Sequence, residues 1–481
     1  MIGFAKRLSA NVTSTIASMG PQWLPFADAA SAELPLARLL RLSLFQVSVG
    51  MCMVLLTGTL NRVMITELGV AASIVAAMVS LPLLFAPLRL LIGVRSDAHK
   101  SAFGWRRVPY IWTGTLMMFA GLSIMPFSLI ILSGDTHGPI VIGQVFAALA
   151  FLLVGAGLHT TQTAGLALAS DLATEETRPR VVALLYVMLL IGMMLSALVL
   201  GAVLQNFNPL KLIQVIQGTA MVAVTLNIVS MWKQEPRDMV RARNAAPDPS
   251  IADAWRALRS EKGSNRLLVA LALGTAAFSM QDILLEPYGG EILGLSVSAT
   301  TALTALVAGG SLVGFSIAGW RLGKGTDAYR IAASGALIGI VAFVAIILSG
   351  PLDSPSLFRV GTLFVGLGSG LFAVGTMTAA MSHVRDGRSG LVLGAWGAVQ
   401  ATAAGIAVAS GGAIRDGLGA LATSGALGPA LDGPFAGYSA VYHIEIFLLF
   451  ATLAAIGPLV RPRSQGTGRT NSRLGLNDLP G

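Results

Sequence analysis

One apolar stretch, Gly157-Leu158-His159-Thr160-Thr161-Gln162-Thr163-Ala164-Gly165 onward to Asp171, holds an imidazole, an amide and a run of hydroxyls. A neutral histidine in such a place donates, accepts, relays a proton or ligates a metal. Gln162 and Thr163 follow one turn later, where they could hold a ligand against the ring. The bland alternative is a hydrogen bond between packed helices. A second stretch, Phe278 to Glu291, carries Gln281, Asp282 and Glu286. Residues four apart share a face of a regular helix, so both carboxylates are expected to project together and to repel unless a proton or a cation intervenes. Arg62 can supply the cation, because an offset of 220 residues sets Asn61-Arg62-Val63 against Gln281-Asp282-Ile283. An ion pair between Arg62 and Asp282 or Glu286 is therefore expected. It would clamp two parts of the chain together, couple a proton to movement, or be no more than interfacial charge.

The elements that position these groups must live in lipid. Of 481 residues, 54% are hydrophobic and 11% charged, against roughly 25% charged in a soluble domain. Such a chain cannot clothe a water-exposed surface. Twelve apolar segments can be read, near 42–66, 70–92, 109–132, 139–168, 181–204, 211–232, 265–288, 297–320, 330–349, 357–381, 390–412 and 438–459. Each reaches the ~20 residues that carry a helix across ~30 Å of hydrocarbon. The 55 glycines suit close helix approach in lipid. Ionisable groups inside such spans face a cavity or a partner, which is why the two polar stretches matter.

The expected fold class is an all-α polytopic membrane protein. About 27 of the 32 Lys and Arg fall in the tails and even-numbered loops, which puts both termini in the cytoplasm. The net charge of +9 then reflects topology and contact with anionic lipid heads rather than nucleic acid. Residues 1–41 hold no cleavable leader and read as a cytoplasmic segment, as do residues 460–481. The longest polar stretch, 233–264, separates two sets of six segments, 42–232 and 265–459. Within it Ile251, Ala254, Trp255 and Leu258 recur at helical spacing after Ser250 and Asp253, a short amphipathic helix lying on the lipid heads as a tether or a docking site.

The halves also match each other. Gly155-Ala156-Gly157-Leu158 corresponds to Gly368-Ser369-Gly370-Leu371, and Gly93-Val94-Arg95 to Gly319-Trp320-Arg321. Together these indicate twelve transmembrane helices in two pseudo-symmetric six-helix bundles, the major facilitator architecture. Resemblance to that architecture implies a loop gate after the second segment, here Asp97, Arg106 and Arg107, spaced more widely than is typical and with Gly323 replacing the acid in the second half.

Other chemistry is thinly represented. Cys52 is the lone cysteine and cannot form an internal disulfide. His383, beside Arg385, Asp386 and Arg388, reads as solvated; His443, near Tyr438 and Tyr442, reads as part of an aromatic belt. No phosphate-cradling loop, zinc spacing or nucleophile elbow is present, so an ATP-driven pump or other enzyme is not expected.

Several runs together resemble the bacteriochlorophyll delivery family, the PucC/LhaA light-harvesting assembly proteins of phototrophic bacteria. They are Leu42 to Gly50, Gly58 to Met64, His159 to Ala169, Thr174 to Pro179 and Met280 to Gly290. The resemblance implies an assembly factor for photosynthetic light-harvesting complexes in the bacterial inner, intracytoplasmic photosynthetic membrane. Its work would be to bind bacteriochlorophyll or hand it to the antenna alpha and beta polypeptides, with the reaction centre or pigment-synthesis enzymes as further partners. On this resemblance His159 is a candidate ligand for the pigment's Mg²⁺, with Gln162, Thr163 and Gln281 as further contacts. The glycine-rich surface from Gly361 to Gly375 suits the macrocycle and tail. The rival from another class is a proton-coupled secondary transporter of a small solute, working through Arg62, Asp282, Glu286 and His159.

Overall fold

In hydrocarbon every backbone N–H and C=O must find its partner within the chain, and apolar runs of this length meet that demand as helices. The computed structural model describes residues 34–84, 105–134, 139–174, 177–236, 264–381, 389–426, 428 and 433–460. All regular elements among them are helical. They are α1 (Leu36–Glu67), α2 (Ala72–Leu84), α3 (Val108–Leu132), α4 (Ile140–Leu172), α5 (Arg178–Val203), α6 (Pro209–Met231), α7 (Asn265–Glu291), α8 (Val297–Gly323), α9 (Ala328–Ser349), α10 (Pro355–Met381), α11 (Ser389–Thr423) and α12 (Phe435–Ile456). Eleven of these, all but α2, are long and apolar enough to cross a membrane. The rest of the expected segment 70–92, the linker helix, Asp97 and His383 lie outside the described residues.

Two boundaries differ from expectation. The first helix starts at Leu36 rather than near 42, and α11 runs past 412 to Thr423, taking Arg415 and Asp416 into the helix. Their pairing with each other and with neighbours, described below, is what lets a helix continue through two charges.

Contacts fall into two sets. In one, α1 packs on α4, α5 and α6, α3 on α4 and α6, and α2 on α4; in the other, α7 packs on α11 and α12, α9 on α10 and α12, and α8 on α10. The sets touch where α2 meets α11, where α5 meets α8, and where the end of α1 meets the end of α7. Below, the near face is the end where α1 begins and the far face the end where it finishes.

Glycine allows the closest crossings. A Cβ on Gly157 would stand 2.7 Å from the Met118 amide nitrogen across α3–α4, and one on Gly335 would stand 2.7 Å from that of Phe372 across α9–α10. The glycines between Gly361 and Gly375 are used in the same way. Gly361 and Gly375 lie against Ile346 and Ala332 of α9, and Gly366 and Gly370 against Val307 and Ser311 of α8. This corrects the expected glycine-lined pigment surface: the protein's own helices cover it, because close backbone packing uses the same missing side chains.

Two helices are irregular, and their irregular parts meet. Val54–Leu60 and Val63–Glu67 of α1 wind as π-helix, and Met280–Ile283 of α7 tightens to a 3₁₀ turn before Leu285–Glu291 resumes. Mid-helix departures of this kind concentrate at functional sites.

Candidate functional site

Toward the far face, α1 and α7 meet as the internal repeat anticipates, but the partners differ. Arg62 pairs with Glu67 and donates from Nη2 to the Leu295 carbonyl at 3.2 Å. It makes no ion pair with Asp282 or Glu286. In π winding a residue five positions on returns near the same face, and this brings Glu67 under Arg62. The guanidinium is 4% exposed and packs on α7, where a Cβ on Gly290 would lie 3.0 Å from Nη2.

The two acids of α7 do not share a face, because the 3₁₀ turn shifts the register between them. Asp282 is exposed and accepts from Gln281 Nε2 at 2.8 Å. Its backbone carbonyl takes a long bond, 3.4 Å, from Asn61 Nδ2 of α1. Glu286 is 3% exposed and accepts from Thr304 Oγ1 of α8 at 2.6 Å. Its Oε1 sits where a Cβ on Gly58 of α1 would overlap it, so one carboxylate ties α7 to α8 over a glycine of α1. Glu286–Thr304 thus joins α7 to α8 within the second contact set, while the polar contacts that cross between the sets here are Asn61 to the Asp282 carbonyl, Arg62 to the Leu295 carbonyl, and Thr59 of α1 facing Thr301 of α8 at 3.3 Å.

A second knot closes the same face. Arg415 of α11 reaches Glu291 of α7 at 2.5 Å and Asp416 at 2.9 Å, and Tyr438 of α12 donates to Glu291 at 2.9 Å. Asp416 accepts from the Ser73 backbone N–H at 2.6 Å, satisfying an orphan donor at the start of α2. In sequence Arg415 lies beyond the expected segment 390–412 and reads only as a loop charge. The signal missed was its neighbour Asp416, an acid that cancels it.

His159 lies on α4 toward the near face. With Thr163, Leu166 and Ser170 it forms a half-exposed stripe at helical spacing, while Thr160, Thr161 and Gln162 are buried. Gln162 Nε2 lies 3.4 Å from Gln46 Oε1 of α1, so the amide serves as a helix–helix contact. Gln46, a buried amide in an apolar run, was not singled out from sequence. Gln46 and Asn61 are 15 residues apart on α1, roughly 20 Å along a helix axis. His159, Gln162 and Thr163 therefore sit about that far from Gln281 and Asp282, and the structure does not bring Gln281 to the His159 group.

Of the loop gate, Arg106 and Arg107 are placed, both against Asp171 at the end of α4, at 3.6 Å and 3.1 Å. Glu235 accepts from the backbone N–H groups of Arg106, Arg107 and Val108 at 2.7–3.1 Å, capping α3. Arg38 holds Gln234 through Nε at 3.1 Å and Nη2 at 2.6 Å. The described near face is thus bound together within the first contact set. His443 is exposed on α12 and bonds back to Ser439, whereas its neighbour Glu445 is fully buried.

Of the cavities among the described residues, the two best formed are not lined by His159. One, about 600 Å³, lies at the near face among Arg38, Trp105, Trp112, Met231, Trp232 and Lys233. The other, about 440 Å³, is an apolar groove where α5, α8 and α10 meet, with Arg359 at its edge.

The fold is that of the major facilitator transporters. A bacterial homologue of the iron transporter ferroportin, in its inward-facing state, superposes with a TM-score of 0.66 at 14% identity, covering 88% of this chain and 98% of the other. Among sequences, the chain is 56% identical over 470 residues to an uncharacterized protein in the puhA-bchM intergenic region of Rhodobacter capsulatus, covering 97% and 98% of the two chains. It is 56% identical over 416 residues to Protein PucC of Rhodovulum sulfidophilum, covering 85% and 92%. A more distant relative, 27% identical over 79% of this chain and 87% of its own length, is the Bacteriochlorophyll synthase 44.5 kDa chain of Rhodobacter capsulatus. Residues 59–464 match the PUCC protein family, and with these relatives the chain belongs to it.

Proposed function

We propose that this protein is an assembly factor for photosynthetic light-harvesting complexes that binds bacteriochlorophyll or delivers it to the antenna alpha and beta polypeptides within the membrane. The observation that carries the reading is membership of the PUCC family over residues 59–464. A relative named a bacteriochlorophyll synthase chain points toward the same pigment. The half-exposed imidazole of His159 on α4 supports it. When bound, bacteriochlorophyll would supply the Mg²⁺ that a neutral His159 imidazole nitrogen would hold. On this reading Thr163, on the same stripe, would be a further pigment contact, while Gln162, held by Gln46, keeps α4 against α1.

The reading includes twelve transmembrane helices in two pseudo-symmetric six-helix bundles. The matching contacts within the two sets and the apolar start of α2 support it. It also includes the intracytoplasmic photosynthetic membrane, with the near face and both termini cytoplasmic by the distribution of Lys and Arg, and no enzymatic step. The reaction centre or pigment-synthesis enzymes are further partners on this reading.

The alternative is a proton-coupled transporter of a small solute, favoured by the charged α1–α7 seam and the fold. Protein purified in mild detergent from a pigmented host separates the two. Bacteriochlorophyll absorbance that His159→Ala reduces by more than half, at unchanged melting temperature, supports delivery. Colourless protein that drives proton-coupled uptake in liposomes replaces that reading with transport.

A further inference from the structure

Beside the broken turn of α7 lies a set of buried oxygens short of donors. Glu445 of α12 is fully buried, and its carboxyl has the Gln281 backbone N–H beside it but closes no hydrogen bond of good geometry. Gln281 Oε1 and Asn61 Oδ1 are also buried without a partner. Rotating either amide does not cure this. Gln281 Nε2 already donates to the Phe278 carbonyl at 3.2 Å and to Asp282, and Asn61 Nδ2 donates to the carbonyls of Thr57 and Asp282, so an exchange of O for N would set oxygen against oxygen. All four orphan oxygens belong to side chains that abut the Gln281–Asp282 turn, since Glu445 lies by the Gln281 amide and within electrostatic reach of Asp282.

Among the described residues no basic side chain answers them. Arg62 is held by Glu67 and the Leu295 carbonyl, and Arg415 by Glu291 and Asp416. An unpaired buried carboxylate and orphaned amide oxygens each carry a desolvation penalty that a bound cation would remove. Membrane transport proteins use discontinuous helices for this purpose, because the unwound backbone adds carbonyl ligands.

We propose that Asn61, Gln281, Asp282 and Glu445 form a site for one monovalent cation, sodium, between α1, α7 and α12. The ligand set is all oxygen, which suits a hard cation and not a transition metal; among the described residues no group of three or more His, Cys, Asp or Glu could hold one. The four orphan oxygens and the Asp282 oxygen not taken by Gln281 fall short of the six to eight ligands that calcium gathers. Asp282, exposed while the turn around it is buried, is the entry point for the ion. The site is independent of the pigment reading: colourless protein that binds sodium refutes that reading alone.

The test is ²²Na⁺ equilibrium binding to the purified full-length protein, with melting curves in NaCl, KCl and choline chloride at equal ionic strength and pH. One sodium per chain and a saturable rise in Tm with NaCl alone are expected. Glu445→Gln should weaken binding at least tenfold, and Asp282→Asn, at an exposed position, should do the same where Glu445→Gln does not fold. Equal melting curves in the three salts, a response to potassium equal to or stronger than that to sodium, or unchanged sodium affinity in a folded variant would each overturn the proposal.

Discussion

Thr304→Val removes the hydrogen bond that holds Glu286, and its effect can be sized. Valine keeps the shape of threonine, so packing between α7 and α8 is preserved and only the 2.6 Å contact is lost. A hydrogen bond to a charged group contributes ~1.5–3 kcal/mol in soluble proteins, whereas polar contacts between membrane helices average ~0.6 and reach ~1.7 kcal/mol. Glu286 belongs near the top of the membrane range. Its other oxygen is already unpartnered, and Gly58 blocks retreat toward α1. A loss of about 1.5 kcal/mol follows, and at roughly 1 °C per kcal/mol for a chain of 481 residues Tm should fall by about 1–2 °C. Tryptophan-fluorescence melting in detergent measures this, and a cycle with Glu286→Gln isolates the pair. Coupling of at least ~0.7 kcal/mol is expected for groups in contact. An unchanged Tm for Thr304→Val, or strict additivity in the double variant, would refute the assignment of Glu286–Thr304 as a bond that holds α7 to α8.

Gly157→Val should lower Tm by more than Thr304→Val, because its Cβ meets the α3 backbone at 2.7 Å and overpacking of this kind costs ~1–3 kcal/mol or more; Gly319→Ala, where a Cβ meets nothing within 4 Å, is the parallel control and should melt within error of the parent. Glu235→Ala leaves the Arg106, Arg107 and Val108 N–H groups without their carboxylate. It should cost about 0.5–2 kcal/mol, as other helix caps do, and raise the rate of limited proteolysis near residue 105, whereas protease resistance equal to the parent argues against the cap.

The spans were legible because lipid leaves a long apolar run little choice but a helix. The meeting of α1 with α7 was also legible, since an internal repeat places Asn61 and Arg62 against Gln281 and Asp282 and those segments do touch. Which side chain pairs with which was not. Arg62 was matched to an acid across the repeat, but the acid five residues along its own helix lies closer once that helix winds as π. Glu445 carries no motif and is visible in sequence only as one acid in an apolar helix. Gln46 and Thr304 were illegible for a simpler reason: amides and hydroxyls are common in such helices, and only the fold says which of them faces a partner.

The spacing of Asp282 and Glu286 has a physical reading that reverses the first one. On an unbroken helix two carboxylates ~4–6 Å apart at an effective dielectric near 20 repel by ~3–4 kcal/mol. Loosening one or two backbone hydrogen bonds forfeits ~0.5–1.5 kcal/mol each. The break is the lesser cost, and it leaves Asp282 exposed beside Gln281 while Glu286 takes Thr304. The same comparison applies to α1, where π winding lets Glu67 neutralise Arg62. Acids four apart in a membrane segment, unaccompanied by a base, are thus better read as a sign that the helix departs from regular winding than as a face it presents. This places the chemistry of the chain at the irregular turns themselves.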